Sequence, residues 1–216
     1  MKNTFEQIMF TMNQLRLIKT EFATKGWFPG TSGNLSMRIG NLTPAPFRFI
    51  ITASGKDKAM NTPEDFLIVD QDGLPTEPTA LKPSAETKIH CEIYRATGCG
   101  AIYHIHTIFN NIISEFYADE GAVPLRGVEL IKAFNIWEQN ASIQVPILPN
   151  YTDIPRIAEL VAGAIQPRIP GILLRNHGIY AWGDDAFATK RHLEAFEFLF
   201  EYQYRHLLLQ KSHRMT

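Results

Sequence analysis

The chain has 216 residues, 45% of them hydrophobic and 20% charged, with 21 Lys and Arg against 22 Asp and Glu for a formal net charge of −1. That length and balance fit one sizeable soluble domain spanning residues 1–216, with a core of its own. They argue against a nucleic-acid-binding surface or a polybasic membrane patch, because no excess of positive charge is available for either. The two cysteines, Cys91 and Cys99, have neither metal-motif nor redox-motif spacing, so both are expected as small buried hydrophobes in a reducing compartment. Charge falls within the first six residues, where a signal peptide would need apolar ones, and no later apolar run is long enough to span a bilayer. The expected location is the cytoplasm.

In chain order, Phe5, Ile8, Met9, Met12, Leu15, Ile18 and Phe22 recur at helical spacing, and Gly26 supplies a stop. A tight polar loop, Gly30-Thr31-Ser32-Gly33-Asn34, precedes β-type stretches at 35–39 and 47–52. Thr62-Pro63-Glu64-Asp65 has the composition of a helix start, with a capping hydroxyl, a proline and two acids, and predicts a short helix there. A strand over 66–69 should end at the Asp72-Gly73 turn. Ser84 is expected to cap a helix over 85–97, closed by Gly98. The apolar run Ala101-Ile102-Tyr103-His104-Ile105-His106 then reads as a strand. A helix over 107–117, a short one over 128–133, a strand over 143–148 and a helix over 154–165 follow. Two apolar runs, 171–174 and 178–183, flank a polar corner, and a long helix after Asp184 carries Phe187, Leu193, Phe196, Phe200 and Leu207. Helices interspersed with strands favour a layered α/β domain over a bundle or a sandwich.

The chemistry concentrates in three histidines. Side chains alternate faces along a strand, so His104 and His106 project together while Ile105 faces the opposite layer. His177 lies in the polar corner Arg175-Asn176-His177-Gly178. If it meets the strand pair, three imidazoles hold a divalent metal and leave a fourth position open, the arrangement of catalytic zinc. The competing reading is two half-buried strand histidines and an unrelated loop histidine. Three small-residue loops suit an anion through hydroxyls and backbone N–H groups: Thr31-Ser32-Gly33-Asn34, Thr52-Ala53-Ser54-Gly55-Lys56 and Lys82-Pro83-Ser84-Ala85-Glu86. Each alone is equally an ordinary turn. Glu86 and Glu129 are the acid–base candidates, although Glu86 also suits a helix start and Glu129 can pair with Arg126 or Lys132. His90, His192, His206 and His213 have no partner at ligand spacing and are expected to be structural or solvated.

Taken together, Gly30-Thr31-Ser32-Gly33-Asn34-Leu35-Ser36, Ile51-Thr52-Ala53-Ser54-Gly55, Pro83-Ser84-Ala85-Glu86, His104-Ile105-His106-Thr107 and Arg175-Asn176-His177-Gly178 resemble, in content and order, the class II aldolase/adducin family. The resemblance covers nearly the whole chain. Four further segments, 82–87, 127–133, 137–140 and 192–200, are similar to its dehydratase branch in methionine salvage. The resemblance implies a three-layer α/β/α domain with a mainly antiparallel central sheet, assembled as a cyclic homotetramer with active sites near subunit boundaries. It implies one zinc per subunit on His104, His106 and His177, and a substrate phosphate surrounded by Ser32, Gly33, Asn34, Ser54, Gly55 and Ser84. Glu129 matches the acid–base glutamate of the dehydratases. Glu86 matches the base of the sugar-phosphate aldolases, a position where some dehydratases carry cysteine. The implied reaction is loss of water from 5-methylthioribulose 1-phosphate, giving 2,3-diketo-5-methylthiopentyl 1-phosphate. The rivals are a retro-aldol lyase or 4-epimerase on the same scaffold and, from another class, a non-enzymatic adducin-like interaction module.

Overall fold

The first strand is buried on both faces and sets the frame for the whole sheet. In β1 (Asn34–Ile39), Leu35, Met37 and Ile39 enter one apolar layer, while Ser36 on the other face meets His90 and Tyr94 of a helix. The chain is described by a computed structural model covering residues 4–40, 42 and 45–213; the expectation on the first residues of the N-terminus lies partly outside this range. Seven more strands complete one sheet: β2 (Arg48–Thr52), β3 (Phe66–Asp70), β4 (Ala101–Ile105), β5 (Ala122–Arg126), β6 (Ser142–Leu148), β7 (Gly171–Leu174) and β8 (Gly178–Gly183). Their order is β3-β2-β1-β4-β8-β7-β6-β5, and every neighbouring pair is antiparallel except β6 with β7.

Helices cover both faces. On one side, α1 (Thr4–Thr24), α3 (Ile108–Phe116) and α5 (Ala186–His213) contribute Leu15, Phe22, Ile113, Leu193, Phe196 and Phe200 to a core shared with Tyr103 and Ile105. On the other, α2 (Thr87–Thr97) and α4 (Ile154–Ala164) pack Ile89, Ile93, Tyr94, Ile157 and Val161 against Ile102 and Tyr180. The result is the expected three-layer α/β/α arrangement around a mainly antiparallel sheet. Cys91 and Cys99 are free and buried, as expected of small hydrophobes. No helix among the described residues is long and apolar enough to cross a membrane.

Several local expectations are corrected. Residues 62–65 form a turn rather than a helix: the Asp65 carboxylate turns back to accept the Thr62 N–H at 3.0 Å and hydroxyl at 2.8 Å. The same carboxylate pairs with Lys19 of α1 at 2.9 Å, with both side chains buried. Ser84 does not cap α2, which begins two residues later than expected; its carbonyl accepts the Thr87 hydroxyl at 2.6 Å. The short helix expected over 128–133 is a 3-10 helix at Glu129–Phe134. Strand β5 is not foreseen from sequence, because Pro124 within it opposes strand assignment; it lies at the sheet edge, opposite Gln144 of β6, where a missing N–H is tolerated. At the other edge the chain doubles back over β3, with Asp70 N–H donating to Leu74 and Thr76 N–H to Ile68.

Candidate metal centre

His104 occupies the β4 position between Tyr103 and Ile105, so it points away from their core and toward the α2–α4 side, where it is fully buried. Its Nδ1–H donates to the Ile179 carbonyl of β8 at 2.9 Å, which leaves the Nε2 lone pair facing inward. His106 lies just past the strand end, its Nε2 2.8 Å from that of His104. The β7–β8 corner supplies His177. Its N–H closes a turn on Leu174 at 3.2 Å, Asn176 takes the left-handed conformation (φ 50°), and its Nδ1 meets Asn150 Oδ1 at 3.1 Å. One ligand atom from each of the three histidines lies within 4.8 Å of the others. That spacing suits an ion bound at about 2.0–2.1 Å from each nitrogen.

The donor chemistry fits a divalent metal. Burial, only partly offset by Glu86, holds His104 at about 4. Burial also depresses His106 to about 2, reinforced by its histidine neighbours. Both imidazoles are therefore neutral at pH 7, as ligation requires. The Tyr180 ring stacks on His104 at 3.9 Å between centroids. Gly178 is required sterically: a Cβ there would lie 2.3 Å from the Ile105 carbonyl oxygen and within 2.9 Å of both the His104 and His106 rings.

Glu86 joins the cluster from the residue preceding α2. Its Oε1 is 3.0 Å from His177 Nε2, and its Oε2 is 3.3 Å from His104 Nε2. The Asn34 amide donates to Oε2 at 2.7 Å. That amide is oriented in turn by His90, whose Nε2–H donates to Asn34 Oδ1 while Nδ1 accepts from the Ser36 hydroxyl at 2.7 Å. Burial opposes ionisation of Glu86, but His104, His177 and Asn34 outweigh it and hold the carboxyl far below the usual range. It is a carboxylate at neutral pH.

Beside the cluster opens a cavity of about 310 Å³ lined by all six anion candidates, Ser32, Gly33, Asn34, Ser54, Gly55 and Ser84, together with Lys58, Glu86, His106 and His177. The second and third loops are zipped together, with Ser54 N–H donating to Lys82 at 2.8 Å and Ala53 bridging Pro83. Gly33 has φ +72° and lies so close to His104 that a Cβ would be 2.7 Å from that residue's carbonyl oxygen. The Ser32 hydroxyl is buried without a hydrogen-bond partner among the described residues. Lys56 turns outward to Glu64, whereas Lys58, which the sequence does not single out, lines the cavity and donates to the Thr31 carbonyl at 2.6 Å.

Glu129 is not among the cavity's lining residues. It is exposed in its 3-10 helix and paired with Lys132 at 2.7 Å. Sequence reasoning also misses the amides that join the histidine segments. Asn111 of α3 donates to both the Thr107 and His177 carbonyls at 2.9 Å, and Asn110 completes a capping box with Thr107. Glu197 accepts from Thr107 at 2.6 Å and Asn110 at 3.0 Å; burial pushes its carboxyl up to about 7 despite these hydrogen bonds. The pattern Thr107-x-x-Asn110 is a legible capping signal. Of the other histidines, His192 is buried and donates to the Trp182 carbonyl, and His206 is exposed beside Gln210. The side chain of His213 lies outside the described residues.

These features define a class: an α/β/α protein in which three imidazoles at the ends of sheet strands, placed to hold a metal, meet an ionised carboxylate from a helix start beside a hydroxyl- and glycine-rich cavity. The family model described as Class II Aldolase and Adducin N-terminal domain matches residues 13–204. The chain is 52% identical over 200 residues to the methylthioribulose-1-phosphate dehydratase of Geobacillus thermodenitrificans, covering 93% of each chain. It is 50% identical over 207 residues to that of Persephonella marina, covering 96% of this chain and 94% of the relative. Among solved structures it resembles L-fuculose-1-phosphate aldolase from Thermus thermophilus, with a TM-score of 0.72, 27% identity and coverage of 94% and 98%. The chain belongs to the class II aldolase and adducin family.

Proposed function

We propose that this chain is a zinc-dependent hydro-lyase that converts 5-methylthioribulose 1-phosphate to 2,3-diketo-5-methylthiopentyl 1-phosphate, serving methionine salvage in the cytoplasm as a homotetramer. In this reading residues 1–216 form one catalytic domain. The observation that carries it is the clustering of His104, His106, His177 and ionised Glu86 beside a cavity lined by six anion-suited residues. The identity of about half to two dehydratases favours dehydration over the aldol cleavage named for the more distant aldolase.

His104, His106 and His177 would hold the zinc, which would supply a Lewis acid for the ketose carbonyl. The loops around Ser32, Ser54 and Ser84 hold the phosphate and thereby fix the reacting carbons beside the histidines. Glu86, ionised and oriented by Asn34, accepts the proton from C3. The C4 hydroxyl leaves as water on receiving a proton from an acid, the role assigned to Glu129, and the resulting enol relaxes to the diketone. Glu129 is exposed and does not line its own chain's cavity, so this role requires that it reach the site of a neighbouring copy.

The test is a product assay on methylthioribulose 1-phosphate that detects diketone and, in parallel, carbon–carbon cleavage. Dihydroxyacetone phosphate without diketone would assign the chain to aldol cleavage instead. His177→Ala should lose both bound zinc and turnover, and full metal content in that variant would remove His177 from the site. Glu129→Gln should retain zinc while kcat falls by about 10²–10⁴, the usual contribution of a positioned acid or base.

A further inference from the structure

Lys58 is 6% exposed, and a lysine so deeply placed ordinarily meets a carboxylate. Lys19 in the same chain does so, with its ammonium 2.9 Å from Asp65. Lys58 has no such partner: its one hydrogen bond among the described residues goes to the Thr31 carbonyl, and the Phe28 ring lies 6.0 Å away. Glu86 and Asp57 attract it only at longer range, and Glu86 is already engaged by Asn34, His104 and His177. An ammonium has three N–H donors, so two remain unmatched. The Ser32 hydroxyl, from a residue lining the same cavity, is likewise buried and has no partner among the described residues. A cation and a hydroxyl left unsatisfied in one cavity, among glycine amides, call for an anion.

We infer that Lys58 is the charge-bearing ligand of the substrate's phosphate, ion-paired with the dianion alongside the Ser32 hydroxyl, and that it sets the preference for a phosphorylated over an unphosphorylated ketose. This rests on the proposal that the cavity receives the phosphate end. Burial lowers the ammonium's pKa, so a dianion beside it supplies an interaction that a neutral hydroxyl end group cannot. Lys58 thus discriminates by charge, while the loop hydroxyls and amides discriminate by shape.

The test compares kcat/KM for methylthioribulose 1-phosphate and for unphosphorylated methylthioribulose in wild-type, Lys58→Met and Lys58→Arg zinc enzymes, with inorganic phosphate as an inhibitor. Lys58→Met should lower the selectivity ratio by about 10- to 100-fold, the range of one charge-assisted hydrogen-bonded pair, and weaken phosphate inhibition in parallel. Zinc content should match wild type, and Lys58→Arg should recover part of the ratio. A fall that is equal for both substrates, with the ratio intact, would make Lys58 a support of the Thr31 loop and overturn the inference. A wild-type enzyme that ignores phosphate and treats both ketoses alike would instead remove the phosphate reading of the cavity. If Lys58→Met does not fold, Lys58→Gln, which keeps a donor for Thr31, carries the same comparison.

Discussion

His90 touches neither the histidine cluster nor open solvent, yet its two ring nitrogens decide which way Asn34 points its amide. Burial holds this imidazole neutral, depressing it to about 3 from the ordinary 6.5 even though Glu86 pulls the other way. Below pH 6.5 the unfolded chain binds a proton that the folded chain refuses. Stability is therefore fully present above that pH and is lost as pH falls toward 3, by up to about 1.4 kcal/mol per pH unit for one group. Urea unfolding of the metal-free protein at pH 7, 6 and 5 should show a slope to which His104 and His106 also contribute, and His90→Gln should reduce it by up to about 1.4 kcal/mol per pH unit, the share of one group. An identical slope in the two proteins would show that His90 is charged in the fold.

At the level of elements, the Lys19–Asp65 pair ties α1 to the turn that leads into β3. Asp65→Asn leaves a buried ammonium without its counter-ion, so it should cost about 3–5 kcal/mol in denaturant unfolding. Removing both charges with Lys19→Met and Asp65→Leu should recover most of that loss. A single variant within about 1 kcal/mol of wild type would show water reaching the pair. The hydrogen bonds of this turn are those of a helix cap, which is why Thr62 to Asp65 read as a helix start; what the local sequence lacks is Lys19, more than forty residues away, drawing Asp65 inward. The same division runs through the site. His104 and His106 on one strand face, and the glycine and serine loops, carry local signals that are legible. Lys58 is not, because its burial depends on Thr31 and Phe28 from another loop, and a lysine in a polar turn ordinarily faces water. Nor can spacing reveal that Asn34 spends its amide on Glu86.

How copies of the chain assemble depends on the faces that folding leaves open. Phe196 and Phe200 of the last helix are fully buried within the chain, whereas Phe198 between them is exposed. Ile108, Ile112 and Phe116 on α3 are exposed as well. A homotetramer that presents Glu129 to a neighbour's histidines makes a specific forecast. Glu129→Gln and His177→Ala subunits, each nearly inactive alone, should regain turnover when dissociated and reassembled together, because some sites then combine an intact metal set with an intact glutamate. Failure to regain any turnover in verified mixed assemblies would place Glu129 in its own chain's site or outside catalysis, and an active monomer in light scattering would dispense with the tetramer.

Such a neighbour finds little open strand edge to pair with. One border of the sheet is folded over by residues 74–76, and the other carries a proline ring where an amide donor would stand. Main-chain pairing is indifferent to sequence, and here it is restricted on both sides. What remains for association is the pattern of side chains on the helices and loops, which lets this chain distinguish a copy of itself from any other polypeptide with a bare strand to offer.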